Sequence, residues 1–308
     1  MKRLQNHIAE STLTLPVMGG VSLLVWLLAG LVSREWWAQL ACFAATVYVM
    51  VELSNTNALL RVRSRMVSGV FMALSCTACF LFGSLTGAIV QLCMVLSLQL
   101  LFHTYQSPEA VGRIYYAFLF VGIASLFFPQ LLFIVPLLWL LMATQLQAFG
   151  WRALTVSLLG LLTPAWLIVS WLIFRSDLTL VTGWLHQLAT FPQPFAVSVL
   201  SLQQLAVWGF VVVLGVASIV HFLQRNYEDK TRVRLLYGFL TTLSMVFVIA
   251  ILLLPGLYDP LMRLAIVCMS PLVAHFFTFT NTRITNIFFL LAVLGVAVLT
   301  AYSLLTLS

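Results

Sequence analysis

The 308-residue chain reads as an all-α, polytopic transmembrane helix bundle, and three observations predict it. It is 62% hydrophobic and only 7% charged, with a mean hydropathy of +1.09. Soluble domains carry about 25% charged residues, so this chain could not cover a water-facing surface. Long intervals free of Asp, Glu, Lys and Arg recur throughout, each sized in units of one membrane helix. The basic residues fall at alternate breaks between those intervals, as topology signals do.

A bilayer core about 30 Å thick needs roughly 20 apolar residues per helix. Intervals 11–33, 36–51, 153–174, 235–258, 264–282 and 284–308 are each one helix long. Intervals 66–108 and 114–151 each hold two helices, divided at Gly83-Ser84-Leu85-Thr86-Gly87 and at Pro129-Gln130. Interval 178–224 holds one helix and a long loop. The expectation is 11 spans, in a range of 10 to 12, with 36–51 the shortest. Residues 178–195 are expected to form an amphipathic helix or re-entrant element on the outer surface. Thr182, Gly183, His186, Gln187, Pro192 and Pro194 interrupt any spanning run there.

An 11-span chain that starts inside places Lys2, Arg3, Arg61, Arg63, Arg65, Arg113, Arg152, Arg225, Lys230, Arg232, Arg234 and Arg283 on one side. Arg34, Arg175 and Arg263 fall on the other. Twelve against three predicts a cytoplasmic N-terminus and a periplasmic C-terminus. The net charge of +7 is thereby explained by topology, with no nucleic-acid partner. The lipid bilayer is the expected partner. Lys2-Arg3 leads into a run long enough to span, which reads as a first membrane helix and not a cleaved leader.

The whole of 1–308 reads as one integral membrane domain. The hydrophilic loop 224–234 divides it into sub-bundles 1–223, with eight spans, and 235–308, with three. Cys76-Thr77-Ala78-Cys79 has the C-x-x-C spelling, but apolar neighbours make these packing residues and not a metal site. No motif calls for a cofactor. Pro136, Pro164 and Pro271 look internal to spans and are candidate kinks; the other prolines suit helix ends. Glu52, Arg113 and Arg263 lie near span ends, where a long side chain can reach the interface. His103, His221 and His275 read as structural hydrogen-bonding residues.

Candidate chemistry gathers on the outer face. Glu35, Asp177, His186 and Asp259 are the candidate acids and base, and Arg34, Arg175, Arg263 and Trp184 the candidate substrate contacts. Acids and a histidine suit deprotonation of an acceptor, arginines suit a phosphate, and aromatic faces suit sugar rings. Local ion pairs, Arg34 with Glu35, Arg175 with Asp177 and Asp259 with Arg263, within an aromatic interface belt account for the same residues. On the inner face Arg61, Arg63 and Arg65 suit anionic lipid headgroups.

The run Gly122-Ile123-Ala124-Ser125-Leu126-Phe127-Phe128-Pro129, with Gln147-Ala148-Phe149-Gly150-Trp151-Arg152 and Leu159-Gly160-Leu161-Leu162-Thr163-Pro164, resembles an uncharacterised family of inner-membrane proteins of Gram-negative bacteria. That resemblance covers roughly residues 55–175 and implies a bacterial inner-membrane location, with no activity attached. More loosely, the same spans resemble multi-spanning glycosyltransferases that use polyprenyl-phosphate donors. That resemblance implies an acidic base or metal ligand in the first external loop, where Glu35 stands, although Ser33-Arg34-Glu35-Trp36-Trp37 is much shorter than such loops. The leading expectation is a cell-envelope glycosyltransferase or polymerase acting on a polyprenyl-phosphate-linked glycan at the outer leaflet. The alternatives are a transporter or flippase with a neutral polar pathway, and a non-catalytic subunit of an envelope assembly.

Overall fold

The computed structural model describes residues 11, 13–62, 64–107, 109–175 and 179–307. Among these there is no strand. The helices are α1 (Thr14–Leu28), α2 (Trp37–Thr56), α3 (Met66–Thr77), α4 (Leu85–Phe102) and α5 (Val111–Phe127). There follow the composite α6 (Pro129–Leu146), then α7 (Trp151–Phe174) and the short α8 (Thr179–Ala189). The chain closes with α9 (Leu202–Arg225), α10 (Thr231–Leu253), α11 (Tyr258–Phe279) and α12 (Arg283–Leu307). Among the described residues, eight helical segments are long and apolar enough to cross a membrane; α1, α3 and α5 are apolar but shorter.

Helix ends follow local chemistry. Ser84 caps α4 by accepting from the Gly87 N–H, which places the break inside the predicted Gly83–Gly87 stretch. Ser201 and Gln204 form a reciprocal capping box that starts α9. Pro129 opens α6, as expected of a residue with no N–H to give. The interval 36–51 proves too short a reading, because α2 runs on through Glu52 to Thr56. A glutamate at a helix end reaches polar surroundings without ending the helix. Pro164 and Pro271 do lie inside helices, whereas Pro136 begins the regular α stretch of α6. The α8 segment is an 11-residue helix with no buried residue, too short to span, and Pro192 and Pro194 lie outside any helix.

The connections fall into two sets by what they touch. In one set, Arg34 Nη2 donates to the Leu307 carbonyl at 2.8 Å, and Gln39 donates to the Gly83 carbonyl at 3.3 Å. Trp184 Nε1 donates to the Ser125 carbonyl at 2.9 Å, and the Tyr258 hydroxyl to the Gln204 carbonyl at 2.9 Å. In the other set, Arg232 donates to Asn57 Oδ1 at 3.0 Å, Arg113 to the His103 carbonyl at 2.8 Å, and Gln106 N–H to the Leu146 carbonyl at 2.9 Å. Arg61, Arg65, Arg152, Arg225, Lys230, Arg234 and Arg283 belong to this second set of connections. We call it the basic end of the bundle and the first set the opposite end.

Burial does not follow hydropathy. The span ending in α11 is among the less apolar yet is wholly buried, whereas α12 is the most apolar and the least buried. That is the expected order when the solvent is hydrocarbon: apolar side chains can face lipid, and polar ones need protein partners. Helix α11 is enclosed by α3, α4, α9 and α10, so the last three helices and the earlier ones form one packed body. Elsewhere small residues set the contacts. A Cβ on Gly122 would lie 2.6 Å from the Leu161 carbonyl oxygen, and one on Gly160 would meet the Tyr115 carbonyl. The α5 and α7 backbones therefore touch at two glycines, with Tyr115 and Thr163 hydroxyls 3.1 Å apart beside them.

This contact predicts that Gly160→Leu lowers stability by about 1–3 kcal/mol through overpacking. Leu159→Ala, on the exposed face of the same turn, should change little. Thermal unfolding in detergent measures both, and equal effects would contradict the α5–α7 contact.

Candidate functional site

The most concentrated polar chemistry lies at the basic end, in the loop between α9 and α10. The chain leaves α9 through a 3-10 turn at Asn226–Glu228 and then turns extended at Asp229. The Asp229 side chain, 1% exposed, enters the bundle between α11 and the segment after α2. Arg61 Nε donates to its Oδ1 at 2.7 Å. His275 Nε2, on the last turns of α11 and 2% exposed, donates to its Oδ2 at 3.0 Å. The carboxylate is acceptor-only, so this bond places a proton on Nε2. Glu228 extends the network outward, 3.4 Å from Arg61 and 3.3 Å from Arg225.

Aromatic rings wall the imidazole. Tyr237 and Phe279 centroids lie 4.8 and 4.7 Å from it, with Phe222 at 5.9 Å and His221 at 6.0 Å. The Arg61 guanidinium lies over Phe279 at 5.0 Å. The network thus seals a carboxylate between a cation and an imidazole, away from water. His275 Nδ1 and the Tyr237 hydroxyl are buried there without a hydrogen-bond partner. Burial raises the Asp229 pKa, but the hydrogen bonds from His275 and Arg61 outweigh it and leave the carboxyl below its ordinary 3.8. The group is ionised at neutral pH and acts as the anionic centre of a knot.

Beyond α11, on the face that carries Val273 and Phe277, lies an apolar cavity of about 880 Å³. Helices α1, α3, α9 and α12 complete its wall, through residues such as Met18, Gly69, Leu214 and Phe289. Ser11 and Thr14 are the hydroxyl groups that line it. The cavity runs from the basic end toward the middle of the bundle: the start of α1, the last turns of α11 and most of α3 line it, with Leu214 and residues 289–296 from the middle of α9 and α12. Arg65 directly precedes its Met66 wall and is half-buried.

The described residues expected to act on the outer face lie at the opposite end, and no hydrogen bond or ion pair joins one to another. Glu35 is exposed, at a positive φ of 52°. Arg34 bonds the α12 terminus and lies 5.2 Å over Trp36. Arg175 lies 4.5 Å over Trp171, and Trp184 holds α8 against α5. His186 is exposed, with Nδ1 3.3 Å from Thr190 Oγ1. Asp259 is exposed at the start of α11. Asp177 and Arg63 lie outside the described residues. Among the described residues no ion pair joins Arg34 to Glu35 or Asp259 to Arg263. Arg263 departs from expectation altogether. It is 5% exposed and bonds Gln91 and the Leu81 carbonyl inside the bundle. Snorkelling needs a lipid-facing helix, and α11 has no such face.

Sequence reasoning missed the Arg61–Asp229–His275 knot. Its members are separated by 168 and 46 residues, so no local motif exists. The available signal was an acid pair, Glu228-Asp229, in a loop otherwise crowded with arginines. Comparisons with family models, with curated proteins and with solved structures find no match to the chain.

Asp229→Asn should lower stability by about 2 kcal/mol at neutral pH, the scale of hydrogen bonds to a charged group. A folded-state pKa below the unfolded one means that this contribution is complete above the ordinary carboxylate value. It disappears as pH falls through the depressed folded value. The stability gap between wild type and variant should therefore hold from about pH 8 to about pH 5 and close only below about pH 4. A gap closing near about pH 6 would place control with a histidine instead.

Proposed function

We propose that this protein spans the bacterial inner membrane 11 times and handles a lipid. The N-terminus and the basic end face the cytoplasm and the C-terminus faces the periplasm. The alternation of connections between two ends supports this, with α1, α3 and α5 as the shorter crossings. So does the gathering of most of the described arginines at one end.

The observation that carries the lipid reading is the cavity. Its volume of about 880 Å³ suits a bound organic molecule, and its wall is almost entirely hydrocarbon. It lies between α1 and α12, whose outward faces carry exposed Val21, Leu24, Leu290 and Leu294. An apolar chain arriving from the bilayer meets apolar surface throughout. Arg65, directly before the Met66 wall, suits an anionic phosphate head beside it. The occupant is the acyl or polyprenyl chain of an anionic lipid. A polyprenyl-phosphate-linked glycan fits this description.

Binding and movement of that lipid fit the site better than catalysis. Among the described residues, Asp229 and His275, beside the α11 wall, are 1% and 2% exposed and tied to each other, so neither meets a headgroup. At the opposite end the candidate catalytic groups hold separate neighbours. The reading is therefore a lipid transporter or flippase, entered from the basic end.

Native mass spectrometry of the detergent-purified protein tests it. A Cβ on Gly69 would make only ordinary contacts, at 3.6 Å or more, so Gly69→Phe fills the cavity without a backbone clash. The wild type should carry a lipid adduct that the variant loses, with folding intact. Equal adducts would contradict the cavity as the site. Orientation has a separate test: single cysteines at Asn226 or Gln193, with the five native cysteines replaced. An impermeant thiol reagent should label only position 193 in intact spheroplasts. Labelling of position 226 instead would invert the topology.

A further inference from the structure

At the opposite end of α11 the guanidinium of Arg263 raises a question that its neutral partners do not answer. It donates to the Leu81 carbonyl and, at 3.4 Å, to Gln91 Oε1, while its Nε has no partner. Asp259, one helical turn away, is exposed and makes no ion pair among the described residues. Asp259 attracts the guanidinium across that turn without touching it, so the buried cation has no opposite charge in contact and its burial is only partly offset.

Beside it lies a small cavity of about 20 Å³, lined by Arg263, Gln91, Ser75 and Trp26 among others. Trp26 Nε1 and Ser75 Oγ are buried without a partner, as is Arg263 Nε. All three belong to residues that line this one space, and they are 2%, 7% and 5% exposed. Trp26 is locked in place by parallel stacking on Phe82, at 3.9 Å and 1°, so its N–H cannot turn elsewhere. Gly87 makes room for the guanidinium, since a Cβ there would fall 2.6 Å from Arg263 Nε.

We propose that this cavity binds one small monovalent anion of halide size. An indole N–H, a hydroxyl and a guanidinium can all donate, and the indole and guanidinium cannot accept. A set dominated by donors around a buried cation selects an anion over a cation. The volume is that of one water molecule or ion, which excludes sulfate and phosphate. The anion adds a counter-charge in direct contact, beyond the distant one of Asp259, and satisfies three donors from α1, α3 and α11, pinning those helices together. The site is independent of the lipid reading and lies at the other end of the bundle.

The test is thermal unfolding of the purified full-length protein in gluconate at fixed ionic strength, with chloride or bromide replacing gluconate. A saturable rise in Tm with halide, and none with sulfate, is expected. Trp26→Phe keeps the stacked ring and removes only the N–H; Ser75→Ala removes only the hydroxyl. Each should weaken the apparent halide affinity by about tenfold, the loss of one hydrogen bond to an ion. Arg263→Gln should abolish the halide response. The same Tm in gluconate and halide would overturn the proposal, leaving the cavity to water. So would a halide response unchanged in Trp26→Phe and Ser75→Ala.

Discussion

The buried carboxylate of Asp229 is the interaction on which the arrangement of the basic end depends. It lies on the loop between α9 and α10, and it accepts one hydrogen bond from the segment after α2 and one from α11. Three parts of the chain far apart in sequence are therefore fixed to one group. Leaving a buried charge unpaired costs far more than a surface ion pair gains, so this contact is close to obligatory once the loop is in place. Helix α11 follows from it, because its His275 end can sit inside the protein only where an acceptor waits for the imidazole. At its other end Arg263 imposes the same demand on Gln91 and Leu81.

A helix clamped at both ends and enclosed along its length defines two kinds of surface around it. One side of α11 meets the polar knot; the face bearing Val273 and Phe277 meets the apolar cavity. Pro271 lies just before these positions and has no N–H to offer the Val267 carbonyl, so α11 is locally weaker beside the cavity wall.

Much of the fold was legible because lipid imposes simple rules. The breaks at Gly83–Gly87 and Pro129, the short α8 and the end of α9 before the charged loop all follow from length, charge and turn residues. The interior was not legible. Hydropathy reports transfer from water to hydrocarbon, whereas burial in a bundle is decided by which helices carry groups that need partners. Arg263 reads as a snorkelling arginine from its position near a span end, yet the wholly enclosed α11 keeps it inside. His275 reads as a structural hydrogen-bonding residue, but its partner Asp229, 46 residues away, was not visible. The glycines at 122 and 160 were visible as letters, and their contact with each other's helix was not.

The central claim is that Asp229 couples the earlier helices to the last three through Arg61. A double-mutant cycle on Arg61→Gln and Asp229→Asn measures that coupling directly, by unfolding of the wild type, both single variants and the double variant in detergent. The account predicts a double variant less destabilised than the sum of the singles, with a coupling energy of at least about 1 kcal/mol. Additive effects, with no coupling beyond about 0.3–0.5 kcal/mol, would show that the two residues act independently and would contradict the account.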